Sequence, residues 1–268
     1  MTGVPIDALL IALAVVWGAA AGAVLPRAAY RLSVELQEEG DGDGEGVDAG
    51  EVPGFVDPGP RRTCPTGHPL RGWLGPARCP GCPGTNPPYG PGALRLSLVT
   101  ALLCAGLALA TGVRPELAVW LALTPVGVLL AAVDLRVRRL PDPLTLPLAA
   151  AALALLGVAA LLPEHAGDWT TALLGSLALG AGYLVLHLVN PGGMGFGDVK
   201  LALGAGAVLG WYGWATVMLG TLAGFLSGAL YGGVLLLAGR AGRRTAIPFG
   251  PFLIAGAWAG VLMGAYAA

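Results

Sequence analysis

Hydrophobic residues along this chain form long uninterrupted segments, rather than the alternating or one-sided patterns of soluble strands and helices. Most of these segments hold about twenty residues, which is the length an α-helix needs to cross the ~30 Å hydrocarbon core of a bilayer. The pattern therefore predicts an all-α polytopic membrane protein with about eight transmembrane helices. The predicted spans are residues 6–25, 94–112, 115–133, 143–162, 169–189, 199–210, 214–237 and 247–266.

The uncharged stretch from Leu201 to Leu237 is too long for one crossing. As a single helix it would extend ~55 Å at 1.5 Å per residue. The sequence Gly210–Trp214 supplies a glycine break and interfacial aromatic residues, so we predict a turn there. The helix before this turn would be short, about 18 Å. Its start near Asp198 is therefore expected below the membrane surface, inside the bundle.

The chain divides into three regions by composition. We expect an N-terminal transmembrane helix at residues 1–26, a large loop at 27–93 and a membrane-embedded domain at 94–268. Within the loop, residues 38–51 form an acidic, glycine-rich tract that cannot bury a core and is expected to be a flexible linker. A proline- and glycine-rich stretch with three of the four cysteines follows it.

Composition strengthens the membrane interpretation and excludes a soluble protein. Hydrophobic residues make up 55% of the 268 residues and charged residues only 12%, against roughly 25% charged residues in soluble domains. The first apolar segment has no basic residue before it, whereas a cleaved signal peptide has a positively charged start. We therefore expect this segment to remain as a helix.

The basic residues predict how the bundle is oriented. If the N-terminus lies outside the cell, fourteen of the fifteen Lys and Arg residues face the cytoplasm and only Arg114 faces outward. This agrees with the preference of short cytoplasmic loops for Lys and Arg. The first loop is longer than the range in which this preference is strongest, but without it the ratio is still seven to one. Both termini are thus predicted outside and the loop 27–93 in the cytoplasm.

Three carboxylates adjoin the transmembrane core on the predicted cytoplasmic side: Asp134, Asp142 and Asp198. Carboxylates near hydrocarbon are costly and usually face the bundle interior or a watery cavity. Two that lie close together share a proton, and such a pair can activate water and protonate a carbonyl oxygen. Structural alternatives stay open, since Asp198 can be a helix N-cap, Asp142 a turn residue and Asp134 a counter-ion to nearby arginines.

The residues around these carboxylates resemble a known family. Gly195-Phe196-Gly197-Asp198 resembles the GxGD motif of intramembrane aspartyl proteases, and residues 193–201 are similar to the type IV prepilin leader peptidases in particular. Two further segments resemble that family in the same order along the chain. They are Asp134-Leu135 with the following Leu140-Pro141-Asp142, and Ile247-Pro248-Phe249-Gly250-Pro251.

The resemblance implies a six-helix GxGD protease core in which Asp134 and Asp198 are the catalytic pair and Gly195, Phe196 and Gly197 form the active-site motif. It implies a bacterial inner-membrane enzyme that cleaves the short basic leader of type IV pilin-like precursors at the cytoplasmic face. Such proteolysis needs no cofactor, and we expect precursors and membrane lipid as partners but no nucleic acid. The alternative is a non-enzymatic assembly factor or small transporter.

The N-terminal third departs from the family pattern. Where bifunctional members carry two CxxC pairs, this chain has Cys64 and His68 followed by Cys79-Pro80-Gly81-Cys82. These four side chains suit a tetrahedral Cys₃His structural zinc site, and a metal-free loop is the alternative. N-methylation of the new pilin N-terminus, with S-adenosylmethionine as cofactor, is expected only if this altered region still supports it. We assign Cys104 a packing role and His187 no catalytic role.

Overall fold

A computed structural model describes residues 6–34, 59–82, 89–191, 193–239 and 248–268 of the chain. Within these ranges the chain forms eight helices and no strand. The acidic tract 38–51, Arg240, Arg243, Arg244 and Ile247 lie outside the described residues. The helices are α1 (Ile6–Leu32), α2 (Ala93–Thr111), α3 (Glu116–Val137), α4 (Asp142–Ala159), α5 (Trp169–Val189), α6 (Phe196–Gly210), α7 (Trp214–Leu237) and α8 (Gly250–Ala267).

Seven of these helices are long and apolar enough to cross a membrane, which confirms a multi-pass, all-helical membrane protein. The exception is α6, whose 15 residues extend about 22 Å, less than the ~30 Å hydrocarbon core. The predicted short helix and the turn at Gly210–Trp214 are thus present. The helix begins three residues earlier than predicted, at Phe196.

The short helix α6 occupies the centre of the bundle, where it packs against α4, α5, α7 and α8. Two-thirds of its residues are buried. Small residues allow this close packing, because a side chain on Gly175 of α5 would lie 2.7 Å from the carbonyl oxygen of Gly206. Such approaches between helix backbones are the usual means of association inside membranes.

One end of the bundle collects the elements that build the site. Near the C-terminal end of α1, Leu25 and Ala29 pack with Val133 of α3, one residue before Asp134. Leu144 near the start of α4 contacts this cluster too. It also joins a second cluster that contains Val199 of α6 and Phe249 before α8. The ends of α1 and α3 and the beginnings of α4, α6 and α8 therefore meet at one face of the protein.

Helix α1 does not end at residue 26, where the sequence predicts a boundary, but continues through the buried Pro26 to Leu32. Proline lacks an N–H and disturbs the local helical bonds. The loop binds the helix on both sides of this proline, because Gly75 donates its N–H to Val24 O (2.7 Å) and accepts a bond from Arg27 N–H (3.0 Å). The region 59–82 is thereby fastened to the end of α1.

Candidate active site

Asp134 lies in the last turn of α3 and is almost completely buried. The helix ends at Val137, and the next residue, Arg138, adopts the left-handed conformation (φ 53°) and donates its N–H to Asp134 O at 2.8 Å. This sharp end turns the chain back toward α4. The Asp134 side chain is thus held at the rim of the bundle interior rather than in solvent.

Asp198 lies in the first turn of α6 and is also buried. The N-cap of this helix is Gly195, so Asp198 is the third helical residue and the alternative that it serves as the N-cap is wrong. Its N–H donates to Gly195 O at 3.0 Å. Because α6 is short and starts inside the bundle, this carboxylate lies within the protein core.

Both carboxylates line one polar cavity of about 210 Å³. They are close enough to interact electrostatically. The motif residues Gly195, Phe196 and Gly197 line the same cavity, so all five predicted active-site residues come together, and their catalytic roles stay a prediction. Sequence reasoning did not assign the other lining residues to the site: Arg138, Arg139, Leu140, Asp142 and Lys200.

Gly250 at the start of α8 fixes the Asp134 side chain. Its N–H donates to Asp134 Oδ2 at 3.0 Å, and this bond is buried. A side chain at position 250 would bring Cβ to 2.7 Å from the same oxygen. The Phe-Gly-Pro sequence therefore supplies both a hydrogen-bond donor and the space that the carboxylate needs. The sequence indicated this segment only through its resemblance, without its contact to Asp134.

Gly197 also lies where no side chain fits. An added Cβ would lie 2.9 Å from Leu140 Cβ, in the loop between α3 and α4. Gly195 differs, because its added Cβ would meet Asp198 Oδ2 at an ordinary contact distance of 3.5 Å. Gly197 thus lets the loop that follows Asp134 approach the start of α6.

An ion pair joins the two elements that flank the cavity. Asp142 is the first residue of α4, where a carboxylate is favoured by the helix dipole. Its Oδ2 lies 2.6 Å from Nζ of Lys200, whose side chain is largely buried and lies over the Phe196 ring. Asp142 is therefore a helix-terminal partner of Lys200 rather than a simple turn residue.

His187 near the end of α5 has a structural contact beside the motif. Its Nδ1 lies 2.8 Å from the carbonyl oxygen of Met194, the residue before Gly195. This contact gives the imidazole a hydrogen-bond partner, and the absence of a catalytic role stays a prediction. Cys104 is completely buried in α2 among apolar residues, as expected for a packing role.

The predicted metal ligands Cys64, His68, Cys79 and Cys82 come together in the loop region. One ligand atom from each lies within 4.8 Å of all the others, a spacing that suits a single tetrahedral ion. The Thr66 hydroxyl, 3.0 Å from Cys64 Sγ, lowers the pKa of this thiol to about 6 against the opposing effect of burial. A lowered pKa favours the thiolate, which is the form that binds metals.

The chain is similar to known membrane peptidases. Residues 117–233, from α3 to most of α7, match the model of the type IV leader peptidase family. A prepilin leader peptidase/N-methyltransferase of Aeromonas hydrophila is 33% identical over 91% of this chain and 87% of its own length. The protein of that name from Pseudomonas putida is 32% identical over 96% and 92% of the two chains. No solved structure matches the chain.

The relatives extend the match beyond the family model into the N-terminal third. A long alignment at about one-third identity with peptidases of a single kind supports a membrane peptidase over the non-enzymatic assembly factor and the transporter. The chain belongs to the type IV leader peptidase family.

Proposed function

We propose that Asp134 and Asp198 are the catalytic pair with which this peptidase hydrolyses one peptide bond of a type IV pilin-like precursor. The observation that carries the proposal is that two buried carboxylates, one from the end of α3 and one from the start of α6, line the same cavity. Within the described residues, no histidine lines this cavity to provide a competing base.

The reaction follows from two carboxylates that share one proton. The ionised carboxylate takes a proton from a water molecule, whose oxygen attacks the scissile carbonyl carbon. The protonated partner gives its proton to the carbonyl oxygen. The tetrahedral species then collapses, the C–N bond breaks, and a carboxyl group returns a proton to the leaving nitrogen. The Gly250 N–H holds Asp134 in place throughout.

We place this site at the cytoplasmic face of the bacterial inner membrane, where it would meet the short basic leader of the precursor. The distribution of Lys and Arg supports this orientation, because fourteen of fifteen would lie inside. A tag at the C-terminus tests it. Protease added to spheroplasts should remove the tag, and protease added to inverted vesicles should leave it intact. The reverse pattern would contradict the orientation.

The catalytic assignment is tested by cleavage of a co-expressed precursor at matched membrane levels. Asp134→Asn and Asp198→Asn should each abolish cleavage, because an amide can neither take up nor release the required proton. Asp142→Asn is the matched control, since its carboxylate lines the same cavity but pairs with Lys200, and it should retain cleavage. Normal cleavage by either of the first two variants would refute the assignment. A product heavier by one methyl group would show that N-methylation persists.

We also propose that Cys64, His68, Cys79 and Cys82 hold one structural zinc ion. The thiolates and imidazole fit the ligands that zinc prefers, and their mutual distances fit one ion. Zinc would crosslink the two parts of the loop that carry these ligands, without taking part in proteolysis. Metal analysis of purified protein should find one zinc per chain, lost in Cys79→Ser and kept in Cys104→Ser. Equal metal content in the two variants would argue against this ligand set.

A further inference from the structure

The turn Arg71–Gly75, here termed the Trp73 turn, carries exposed apolar side chains beside the end of α1. Trp73 is 46% exposed and Leu74 is 60% exposed. Gly72 and Gly75 flank them with positive φ values of 75° and 125°, which other residues rarely adopt. The two glycines shape a tight turn that presents both apolar side chains outward.

The turn contacts α1 at the level where the apolar part of this helix gives way to its first basic residue. Gly75 forms backbone hydrogen bonds with Val24 and Arg27 of α1. Val24 lies in the apolar part of this membrane-spanning helix and is itself exposed on the protein surface, whereas Arg27 is the first basic residue after it. A surface at this level faces the boundary between hydrocarbon and lipid headgroups, where tryptophan is favoured.

Two basic side chains of α1 contact the Trp73 turn. The Arg31 guanidinium lies 4.3 Å from the centre of the Trp73 ring. Arg27 donates from Nη1 to the Arg71 carbonyl at 2.8 Å, and Arg31 donates from Nη1 to the Gly72 carbonyl at 2.7 Å. Arginine beside exposed tryptophan and leucine suits a surface that buries apolar groups and attracts anionic headgroups.

We propose that the Trp73 turn inserts into the interface of the lipid bilayer and anchors the Cys/His cluster region to the membrane at the face where the catalytic cavity lies. The bound partner is an anionic phospholipid surface. The anchor adds a second attachment to the backbone bonds with α1, so the loop region is held flat against the membrane beside the ends of α1 and α3. This proposal does not depend on the peptidase assignment.

Photocrosslinking of the full chain in nanodiscs of phosphatidylethanolamine and phosphatidylglycerol tests the anchor. A benzophenone amino acid replaces Leu74, and mass spectrometry identifies what it captures. Two positions serve as references: Leu226 of α7, which is exposed on a membrane span, and Arg62, which is exposed in the loop region. We expect phospholipid adducts at position 74 in a yield comparable to that at position 226. At position 62 we expect almost no phospholipid adducts.

The proposal is overturned if position 74 behaves like position 62, or if it captures another part of the chain. A second measurement uses the conservative variant Trp73→Phe, which preserves an aromatic ring under Arg31. The fluorescence difference between wild type and this variant reports Trp73 among the seven tryptophans. Lipids brominated near the headgroup should quench this difference. A difference signal that brominated lipid leaves unchanged would contradict insertion.

Discussion

The hydrogen bond from Gly250 to Asp134 makes Gly250→Ala a demanding test of the site geometry. The added methyl group would lie 2.7 Å from Asp134 Oδ2 and 3.2 Å from Cγ, whereas ordinary contact begins at 3.4 Å. The carboxyl group must therefore move by about 0.7 Å or turn away, which also stretches its 3.0 Å bond to the Gly250 N–H. The backbone itself tolerates alanine, because Gly250 lacks a positive φ.

Two effects set the expected magnitude. A hydrogen bond to a charged group contributes about 1.5–3 kcal/mol, and a displacement near 1 Å in an active site can cost about 100-fold in rate. We therefore expect kcat/KM for precursor cleavage to fall about 10- to 100-fold in Gly250→Ala. The assay is cleavage by purified enzyme in proteoliposomes, with thermal unfolding measured on the same samples.

Gly204→Ala is the matched control, because its added Cβ would meet Ala149 at an ordinary 3.5 Å in the same bundle. It should cleave within about twofold of wild type, since no atom has to move. Cleavage by Gly250→Ala at the wild-type rate would refute the role of this contact. An equal loss in Gly204→Ala would also refute it, because the effect would then reflect general sensitivity to alanine.

Three further predictions concern packing and charge near the ends of the helices. Gly197→Ala should lower kcat/KM about tenfold through its 2.9 Å contact with Leu140 Cβ, and adding Leu140→Gly, which removes that atom, should recover part of the loss. No recovery would contradict this steric cause. In thermal unfolding, Asp142→Asn should lower Tm more than Lys200→Gln, because Asp142→Asn leaves the largely buried Lys200 ammonium without its carboxylate partner. The reverse order of Tm values would contradict this role of the ion pair. Glu116 is fully buried at the start of α3, where its Oε1 accepts the N–H of Ala166. Glu116→Gln should therefore keep the Tm of wild type, whereas Glu116→Ala should lower the free energy of unfolding by about 1–3 kcal/mol, and equal unfolding temperatures of the two variants would contradict this.

The sequence predicted the helices well because the bilayer imposes a simple requirement. Every apolar run near twenty residues became a helix, and the glycine-aromatic break at Gly210–Trp214 correctly divided α6 from α7. The shortness of α6 followed from the same argument and explains why Asp198 lies inside the bundle. Composition singled out three carboxylates at one face, and only the resemblance to the type IV prepilin leader peptidases selected Asp134 and Asp198 as the predicted pair.

Contacts between distant segments could not be predicted from the sequence. Helix α1 continues through Pro26, and the backbone of Gly75, far away in the sequence, bonds to Val24 and Arg27 on either side of it. The bond from Gly250 to Asp134 likewise joins residues that no local pattern relates. Lys200 appeared only as a charge in the topology count, because its pairing with Asp142 depends on how α4 and α6 pack.

The most direct test of the catalytic pair is whether Asp134 and Asp198 act as one unit. Single-turnover cleavage of a purified precursor would be compared among wild type, Asp134→Asn, Asp198→Asn and the double variant, all reconstituted in proteoliposomes. Residues that act as a unit lose nearly all activity together, so the double variant should be no slower than either single variant. Losses that multiply in the double variant, or cleavage retained by one single variant, would contradict a shared dyad.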